Sequence, residues 1–314
     1  MALTPTELKT AVSNYVDAAK SAGTYKNDVD GYVGLALTIG DIKTLHVPHA
    51  DKLPELDGDN LPTGKIVEEY MVNEFLPEDY TYTDAAGKKN QKRPTFDQAC
   101  FNYPLGRKKF GIARPLGEVF EQISISSTGA ADLATSDMIA LYSSKTAWRY
   151  ATKRQALGNM ASKAVDAGKS ETLAVPTDTA TGEAFVQRVQ ELVEIASDSN
   201  SENIAGHFCG AAPSLKLYVK QGIMPAIRVQ TLAGAINKDE LSLGVDVKTI
   251  LDFGNADSSI YAILVDPRGI ALRNCSDFTL SNIDEDMAVV NTVNHFDDEV
   301  FISKYGFIHV FKKA

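Results

Sequence analysis

Histidines, cysteines and glycine-containing turns are the residues of this chain whose types and spacing could support catalysis or ligand binding. Ala167-Gly168-Lys169-Ser170 ends like a phosphate-binding loop. Such a loop needs a glycine five residues before Gly168, where this chain has Lys163. A glycine that ends a helix is the better interpretation. The Gly-x-Ser-x-Gly turn of common hydrolases does not occur in the sequence.

Two short segments offer nitrogen and sulfur ligands for a metal ion, His46-Val47-Pro48-His49 and His207-Phe208-Cys209. A zinc site needs three or four converging ligands, and neither segment has a recognisable partner. His295 lies near Asp297 and Asp298 and could form an acid–base pair with them. A solvated acidic turn is the simpler interpretation of those residues. We therefore expect no catalytic residue, no metal ion and no cofactor.

An active site assembled from distant residues would leave no readable spacing in the sequence. Asp246, Asp252, His207 and Arg228 could converge in the fold in this way. A cytosolic α+β enzyme or ligand-binding protein therefore stays open as an alternative.

Composition and charge exclude several classes of protein. The chain has 314 residues, of which 44% are hydrophobic and 23% charged, as in ordinary globular proteins. Its formal net charge of −10 makes it a poor electrostatic partner for nucleic acid or an anionic membrane. Uncharged apolar stretches such as residues 32–40 fall short of the ~20 residues that span a bilayer. Three widely separated cysteines favour free thiols, so we expect an acidic, soluble, intracellular protein without a signal peptide.

The elements that must position any site follow from the hydrophobic pattern. Apolar residues spaced three to four apart predict helices over residues 4–23, 130–165 and 183–197. Thr4 and Thr181 are the expected caps of the first and third of these. Short apolar runs predict four strands, at residues 215–220, 241–247, 260–265 and 300–311. Residues 226–236 are expected to be helical, and Asp266-Pro267-Arg268-Gly269 predicts a tight turn after a buried strand.

Residues 64–116 predict a long two-stranded ribbon. Its limbs, 65–75 and 96–112, are rich in β-branched and aromatic residues, and a polar tip at 84–94 separates them. From Ala86 to Arg114 there are eight basic residues and one acid, whereas the first limb is acidic. A two-stranded ribbon with no third strand nearby is marginal in water. We therefore expect the ribbon to lie on a neighbouring molecule of opposite local charge.

The basic residues of the ribbon allow three interpretations. The tip could be a solvated loop, or it could bind nucleic acid, although no aromatic residue lies within the run 88–93 for base stacking. The interpretation that we favour is contact with an acidic patch of another subunit. The residues assigned to this inter-subunit contact are Lys88, Lys89, Lys92, Arg93, Arg107, Lys108, Lys109, Glu68 and Glu69.

The order of these parts resembles the major capsid protein of tailed bacteriophages. A glycine-broken extended segment up to residue 60, the charged ribbon, a long helix, a second helix and a mixed lobe follow one another. The chain closes with an apolar run at 260–267 and an aromatic-Gly-aromatic sequence, Tyr305-Gly306-Phe307, before its last strand. The resemblance implies an α+β capsid fold in five segments. They are an N-terminal arm (1–60), an extended β-ribbon loop (61–118), a peripheral domain with the spine helix (119–202), an axial domain (203–285) and a C-terminal return to the peripheral domain (286–314).

The resemblance also implies a function and partners. Such a protein is structural and assembles into pentamers and hexamers of an icosahedral shell that encloses double-stranded DNA in the virion. Its partners are copies of itself, a separate scaffolding protein, a portal and a decoration protein, and it assembles in the host cytoplasm without a membrane. Some relatives crosslink a ribbon lysine, here Lys88, Lys89 or Lys92, to an asparagine, here Asn291 or Asn294. Encapsulin cargo compartments share the fold and stay open as an alternative, as does another virion component such as a tube or decoration protein.

Overall fold

The structure is a computed structural model that describes residues 49–62, 68–72, 96–98, 100–125, 129–223, 245–284 and 286–313. The chain forms two compact units. Unit 1 comprises Met1–Lys65, Tyr103–Leu157 and Ala271–Val300, and unit 2 comprises Ile66–Asn102, Gly158–Ile270 and Phe301–Ala314. The predicted helix at 4–23, the ribbon tip at 84–94 and the predicted helix at 226–236 lie outside the described residues.

Three helices and ten strands make up the described fold. The helices are α1 (Leu116–Ile125), α2 (Gly129–Asp166) and α3 (Thr179–Ala196). The strands are β1 (Tyr70–Val72), β2 (Phe96–Gln98), β3 (Cys100–Pro115), β4 (Ser170–Leu173), β5 (Lys216–Lys220), β6 (Asp246–Ile250), β7 (Ile260–Val265), β8 (Ile270–Asp284), β9 (Val289–Ser303) and β10 (Ile308–Lys313).

The long helix α2 confirms the prediction for residues 130–165. Its 38 residues extend over about 57 Å. Ala134, Met138 and Leu141, spaced three to four apart, are all buried. The helix passes through Gly158 and ends before Gly168, whose positive φ of 75° lets its N–H bond back to the carbonyl of Val165 at 3.0 Å. Gly168 is therefore the helix-ending glycine that the sequence predicts, and not part of a phosphate loop.

In unit 1 a three-stranded sheet has the order β3-β9-β8. Side chains of β9 alternate, with Thr292, Asn294 and Phe296 buried between partly exposed neighbours. The ring of Phe296 meets Trp148 of α2 edge-on at a centroid distance of 5.0 Å and stacks on Phe110 of β3 at 5.7 Å. One face of this sheet thus packs against α2; we call it the inner face and the opposite one the outer face.

In unit 2 a five-stranded mixed sheet has the order β4-β10-β7-β5-β6. The central strand β7 is buried at all six residues, which explains its continuous apolar run. Phe185 of α3 packs on this sheet through Phe311 and Tyr261, with ring centroids 5.1 and 5.8 Å away. The predicted turn after β7 is confirmed as a short 3-10 helix, Pro267–Gly269, capped by the side chain of Asp266.

Two predictions about individual elements are wrong. The expected single strand at 300–311 is two strands, because Ser303 Oγ accepts bonds from the N–H groups of Tyr305 and Gly306 and turns the chain between β9 and β10. The start of α3 is capped by Asp178, with Thr181 as the third helical residue of a reciprocal capping box. Of the strand expected at 241–247, residues 241–244 lie outside the described residues, and the described end belongs to β6, Asp246–Ile250.

The ribbon prediction is confirmed in one part and wrong in another. β1 and β2 pair in antiparallel register, with Tyr70 opposite Gln98, so the two limbs do meet. The second limb continues as β3, which pairs with β9 and therefore does have a third strand nearby. The resemblance implies an N-terminal arm over residues 1–60, and of its described residues Leu53 and Leu56 lie in the interior of their own chain, both with no exposed surface. None of the helices described is long and apolar enough to cross a membrane.

Candidate assembly surfaces

Three cations follow one face of α2 in unit 1 at intervals of four residues. Lys145 Nζ lies 2.5 Å from Asp277 Oδ2, Arg149 Nη2 lies 3.2 Å from Asp57 Oδ1, and Lys153 Nζ lies 2.8 Å from Asp57 Oδ2. Lys153 also contacts the carboxylate of Asp51 and donates to the carbonyl of Leu53 at 2.9 Å. Lys145 and Lys153 are 6% and 1% exposed, whereas Arg149 and the aspartates that pair with this ladder of cations are partly exposed. This ladder was not predicted from the sequence, although the i, i+4, i+8 spacing of the cations would have indicated it.

The ladder holds residues 51–61, which we call the strap, against α2. Leu53 and Leu56 supply the apolar contact, and the short 3-10 helix Pro54–Leu56 turns the chain between them. The strap also adds to β8, since the N–H of Gly58 donates to the carbonyl of Leu272 and that of Leu61 to Asn274, both at 3.0 Å. The strap is therefore an integral part of unit 1.

The pKa values of two carboxyl groups of this cluster are shifted in opposite directions. Burial opposes ionisation of Asp51, but hydrogen bonds from Lys153 and from the backbone N–H of Leu53 outweigh it and lower the pKa of Asp51. For Asp298, which is 1% exposed, burial dominates over Arg149 and Asn274 and raises its pKa. The expected solvated acidic turn is thus wrong at Asp298, which lies inside strand β9. His295 stacks on Phe278 at 5.1 Å.

The outer face of the unit 1 sheet is partly apolar and open to solvent. Phe278 and Leu280 of β8 are 47% and 53% exposed on this face. Their odd-numbered neighbours point inward, where Asp277 accepts a bond from Asn294 at 3.0 Å and Ser281 bonds Thr292 at 3.0 Å. Gly111 of β3 contributes no side chain, and a Cβ there would stand 3.2 Å from Val293 Cγ2.

The predicted contact residues that the structure describes are exposed, except Glu69, which is partly exposed. Arg107, Lys108 and Lys109 follow one another on β3 just after Gly106, which has a φ of 68°. Within the described ranges β3 is an edge strand, with β9 on one side. Glu68 is exposed and Glu69 partly so, both just before β1 in unit 2. Lys88, Lys89, Lys92 and Arg93 lie outside the described residues, and the role of the whole set stays a prediction.

The residues of the enzyme alternative have local structural partners in unit 2. Asp246 pairs with Lys216 at 2.7 Å, Asp252 accepts the N–H of Gly254 at 2.9 Å, and the backbone of His207 bonds the side chain of Asn203. Arg228 lies outside the described residues. An open cavity of about 320 Å³ is lined by Val193, Ser197, Ala212, Pro213, Leu215, Val245 and Asp246. Its one charged group is the Asp246 that Lys216 already pairs, and no three potential metal ligands cluster in the described part of the chain.

The fold is that of phage capsid structures. The chain aligns with the capsid structure of Staphylococcus phage Andhra with a TM-score of 0.61 and 12% identity, over 86% of each chain. It aligns with the mature capsid of bacteriophage PhiM1 with a TM-score of 0.54 and 10% identity, over 86% of this chain and 89% of that one. The capsid of cyanophage P-SCSP1u gives a TM-score of 0.53 and 10% identity over 86% and 90% of the two chains.

Comparisons of sequence do not contribute to the assignment of the fold. No protein-family model matches the chain, and no curated protein is similar to it in sequence. The predicted α+β capsid fold is therefore confirmed by three-dimensional likeness alone.

Proposed function

We propose that this chain is the structural major capsid protein of a tailed bacteriophage. It self-assembles into pentamers and hexamers of an icosahedral shell that encloses double-stranded DNA in the virion, and it acts by assembly without catalysis. The observation that carries the proposal is the fold, shared with the Andhra capsid structure over 86% of both chains. Because the structural similarity covers 86% of both chains, it favours a shell subunit over a protein of which only one domain has the capsid fold.

Features of the described residues support the proposal. A subunit that closes into rings needs head-to-tail contacts between two different surfaces of one chain. The strand β3, at the edge of its sheet within the described ranges, offers the exposed cations Arg107, Lys108 and Lys109. The chain as a whole carries −10, so a basic surface on one copy meets a predominantly acidic neighbour. The net negative charge also avoids a strongly basic inner wall that would retard DNA packaging.

Roles and partners follow from the same proposal. The ribbon reaches over the adjacent subunit and contacts it through the basic residues 88–93 and 107–109 and the acidic Glu68 and Glu69. Copies of the chain, a separate scaffolding protein, a portal and a decoration protein are the partners. The shell assembles in the host cytoplasm.

Sedimentation velocity of the purified chain tests the proposal. Species far larger than the 34.0 kDa monomer are expected, alone or after addition of a scaffolding protein. A variant with Lys88, Lys89, Lys92 and Arg93 all changed to Glu should keep the thermal stability of the monomer and lose most of the large species. Full assembly of that variant would contradict the role of the ribbon tip but not the shell function. A wild-type chain that stays monomeric in both conditions would contradict the function itself.

A further inference from the structure

The turn between β8 and β9 presents the most exposed large apolar side chain in the described part of the chain, Met287, at 71% exposure. Two acidic residues, Asp284 and Asp286, precede it in the turn. The side chain of Asp284 accepts the N–H of Met287 at 3.1 Å and so holds the tip in one conformation. We call Asp284 together with residues 286–288 the acidic turn.

The acidic turn is held in a strained conformation. Ala288 has a φ of 50°, in the left-handed region that a residue with a Cβ avoids at a cost of about 1 kcal/mol. The carbonyl of Ala288 accepts the N–H of Leu116 at the start of α1 at 2.9 Å, which anchors the turn to unit 1. Backbone strain of this kind, kept in place by surrounding bonds, is characteristic of functional positions.

A surface complementary to this turn lies elsewhere on the same sheet. The outer face offers Phe278, Leu280 and the partly exposed Val293 as an apolar floor, because Gly111 puts no side chain over it. Lys109 lies two residues before Gly111 and therefore on the same face of β3, at the margin of this floor. An apolar surface with Lys109 beside it is complementary to the apolar side chain of Met287, which two aspartates precede.

Asp286 and Lys109 are far apart within one chain. Leu116 bonds the acidic turn, and Lys109 lies seven residues earlier on an extended strand. At 3.3 Å per residue, Lys109 is about 23 Å from the turn. Because Asp286 and Lys109 lie far apart on one sheet, we expect each of them to pair with the oppositely charged residue of another copy.

We infer that the acidic turn of one copy docks on the outer face of the unit 1 sheet of a second copy. Met287 lies on Phe278 and Leu280, and Asp286 pairs with Lys109. The contact is head-to-tail, so each copy donates one turn and receives another. This inference rests on the proposed shell function and names one contact that holds the shell together.

Charge exchange between the two surfaces tests the contact. Asp286→Lys and Lys109→Glu should each raise the subunit concentration for half-maximal assembly about tenfold, equivalent to ~1.4 kcal/mol per contact. The double variant restores the attraction with reversed signs and should return to within about threefold of wild type. Met287→Ser should weaken assembly about tenfold by loss of the apolar contact. Light scattering during assembly, with the thermal unfolding of each monomer alongside, gives these numbers.

Two matched variants serve as controls. Lys52→Glu reverses an exposed cation away from the outer face, and Leu251→Ser removes a side chain that is 53% exposed in unit 2. Both should assemble like wild type. Wild-type assembly by Asp286→Lys and Lys109→Glu, or no recovery in the double variant, would overturn the inference while the shell function stands. Absence of particles from the wild-type chain itself would instead overturn the shell function, and the inference with it.

Discussion

The backbone of Gly158 in α2 lies against the carbonyl of Phe253. A Cβ on Gly158 would stand 2.0 Å from that oxygen and 3.1 Å from the Cβ of Ala256. A glycine inside a helix usually costs stability, but here only glycine lets the loop before β7 approach the helix so closely. The residue is therefore a close-packing position rather than a bend in the helix.

We expect Gly158→Ala to destabilise the protein by about 3 kcal/mol, because either the helix or the loop at 253–256 must move. Gly117→Ala is the matched control, since Gly117 is also helical and a Cβ there meets no atom within 4 Å. That change should stabilise the protein by about 0.5–1 kcal/mol. Urea unfolding of both variants gives the comparison, and equal effects of the two changes would contradict the packing account.

Lys153 is the most buried cation of the α2 ladder. Lys153→Ala should cost about 2–3 kcal/mol, because it removes the buried ammonium group that pairs with Asp51 and Asp57 and donates to the carbonyl of Leu53. This loss of stability is smaller than the loss expected when a fully buried ion pair is broken, since Asp51 and Asp57 are 25% and 37% exposed. The control Lys216→Ala removes a surface pair with Asp246, 56% exposed, and should cost less than about 1 kcal/mol. Amide hydrogen exchange of the strap should rise selectively in Lys153→Ala, and an unchanged strap would contradict the role of the ladder.

Glu202 should give unit 2 a pH-dependent stability. The hydrogen bond with His309, 3.2 Å away, is the main cause that lowers the pKa of Glu202, and Lys169 acts in the same direction against burial. A carboxyl with a lowered pKa stabilises the fold fully above its unfolded pKa, usually about 4.3, and loses that contribution as pH falls through the folded value.

Glu202→Gln should therefore lower the free energy of unfolding by about 1 kcal/mol at pH 7, and the difference from wild type should vanish toward pH 3. Glu191→Gln is the control, because its carboxylate is 47% exposed beside Arg188 and should change stability less. Thermal unfolding between pH 3 and 7 gives both curves. A difference that stays constant with pH would contradict the assignment.

Ala288 should be a site where glycine stabilises the monomer. Its φ of 50° carries the left-handed cost for a residue with a Cβ, which glycine avoids. Glycine also gives the unfolded chain more freedom, so the net gain expected from Ala288→Gly is about 0.5–1 kcal/mol. Thermal unfolding of the monomer tests this, with Ala113→Gly in β3 as a control that should destabilise. A loss of stability in Ala288→Gly would contradict the strained geometry of the acidic turn.

The sequence predicted the elements that rest on strong local signals. The apolar spacing along α2, the glycine at 168 and the continuous apolar run of β7 each depend on a single segment. The errors arose where distant segments decide the structure. Nothing local to β3 shows that β9 pairs with it, and the Ser303 turn that divides the last apolar run depends on one hydroxyl.

The candidate surfaces likewise include residues whose exposure the sequence could predict and residues whose burial it could not. The exposure of Arg107, Lys108 and Lys109 could be predicted, because three adjacent cations are rarely buried together. Lys145 and Lys153 could not be placed as readily, since burial of a lysine depends on carboxylates from the strap and β8 that are far away in sequence. The apolar outer face could not be predicted from the sequence, because only the hydrogen bonds of Asn294 and Thr292 show which side of the sheet faces inward.

The most direct test of the central claim is negative-stain electron microscopy of the fastest-sedimenting material from the 314-residue chain, produced alone and together with a scaffolding protein. The account predicts closed particles of uniform size with icosahedral symmetry. A chain that remains a 34.0 kDa monomer at high concentration, with and without scaffold, would contradict it.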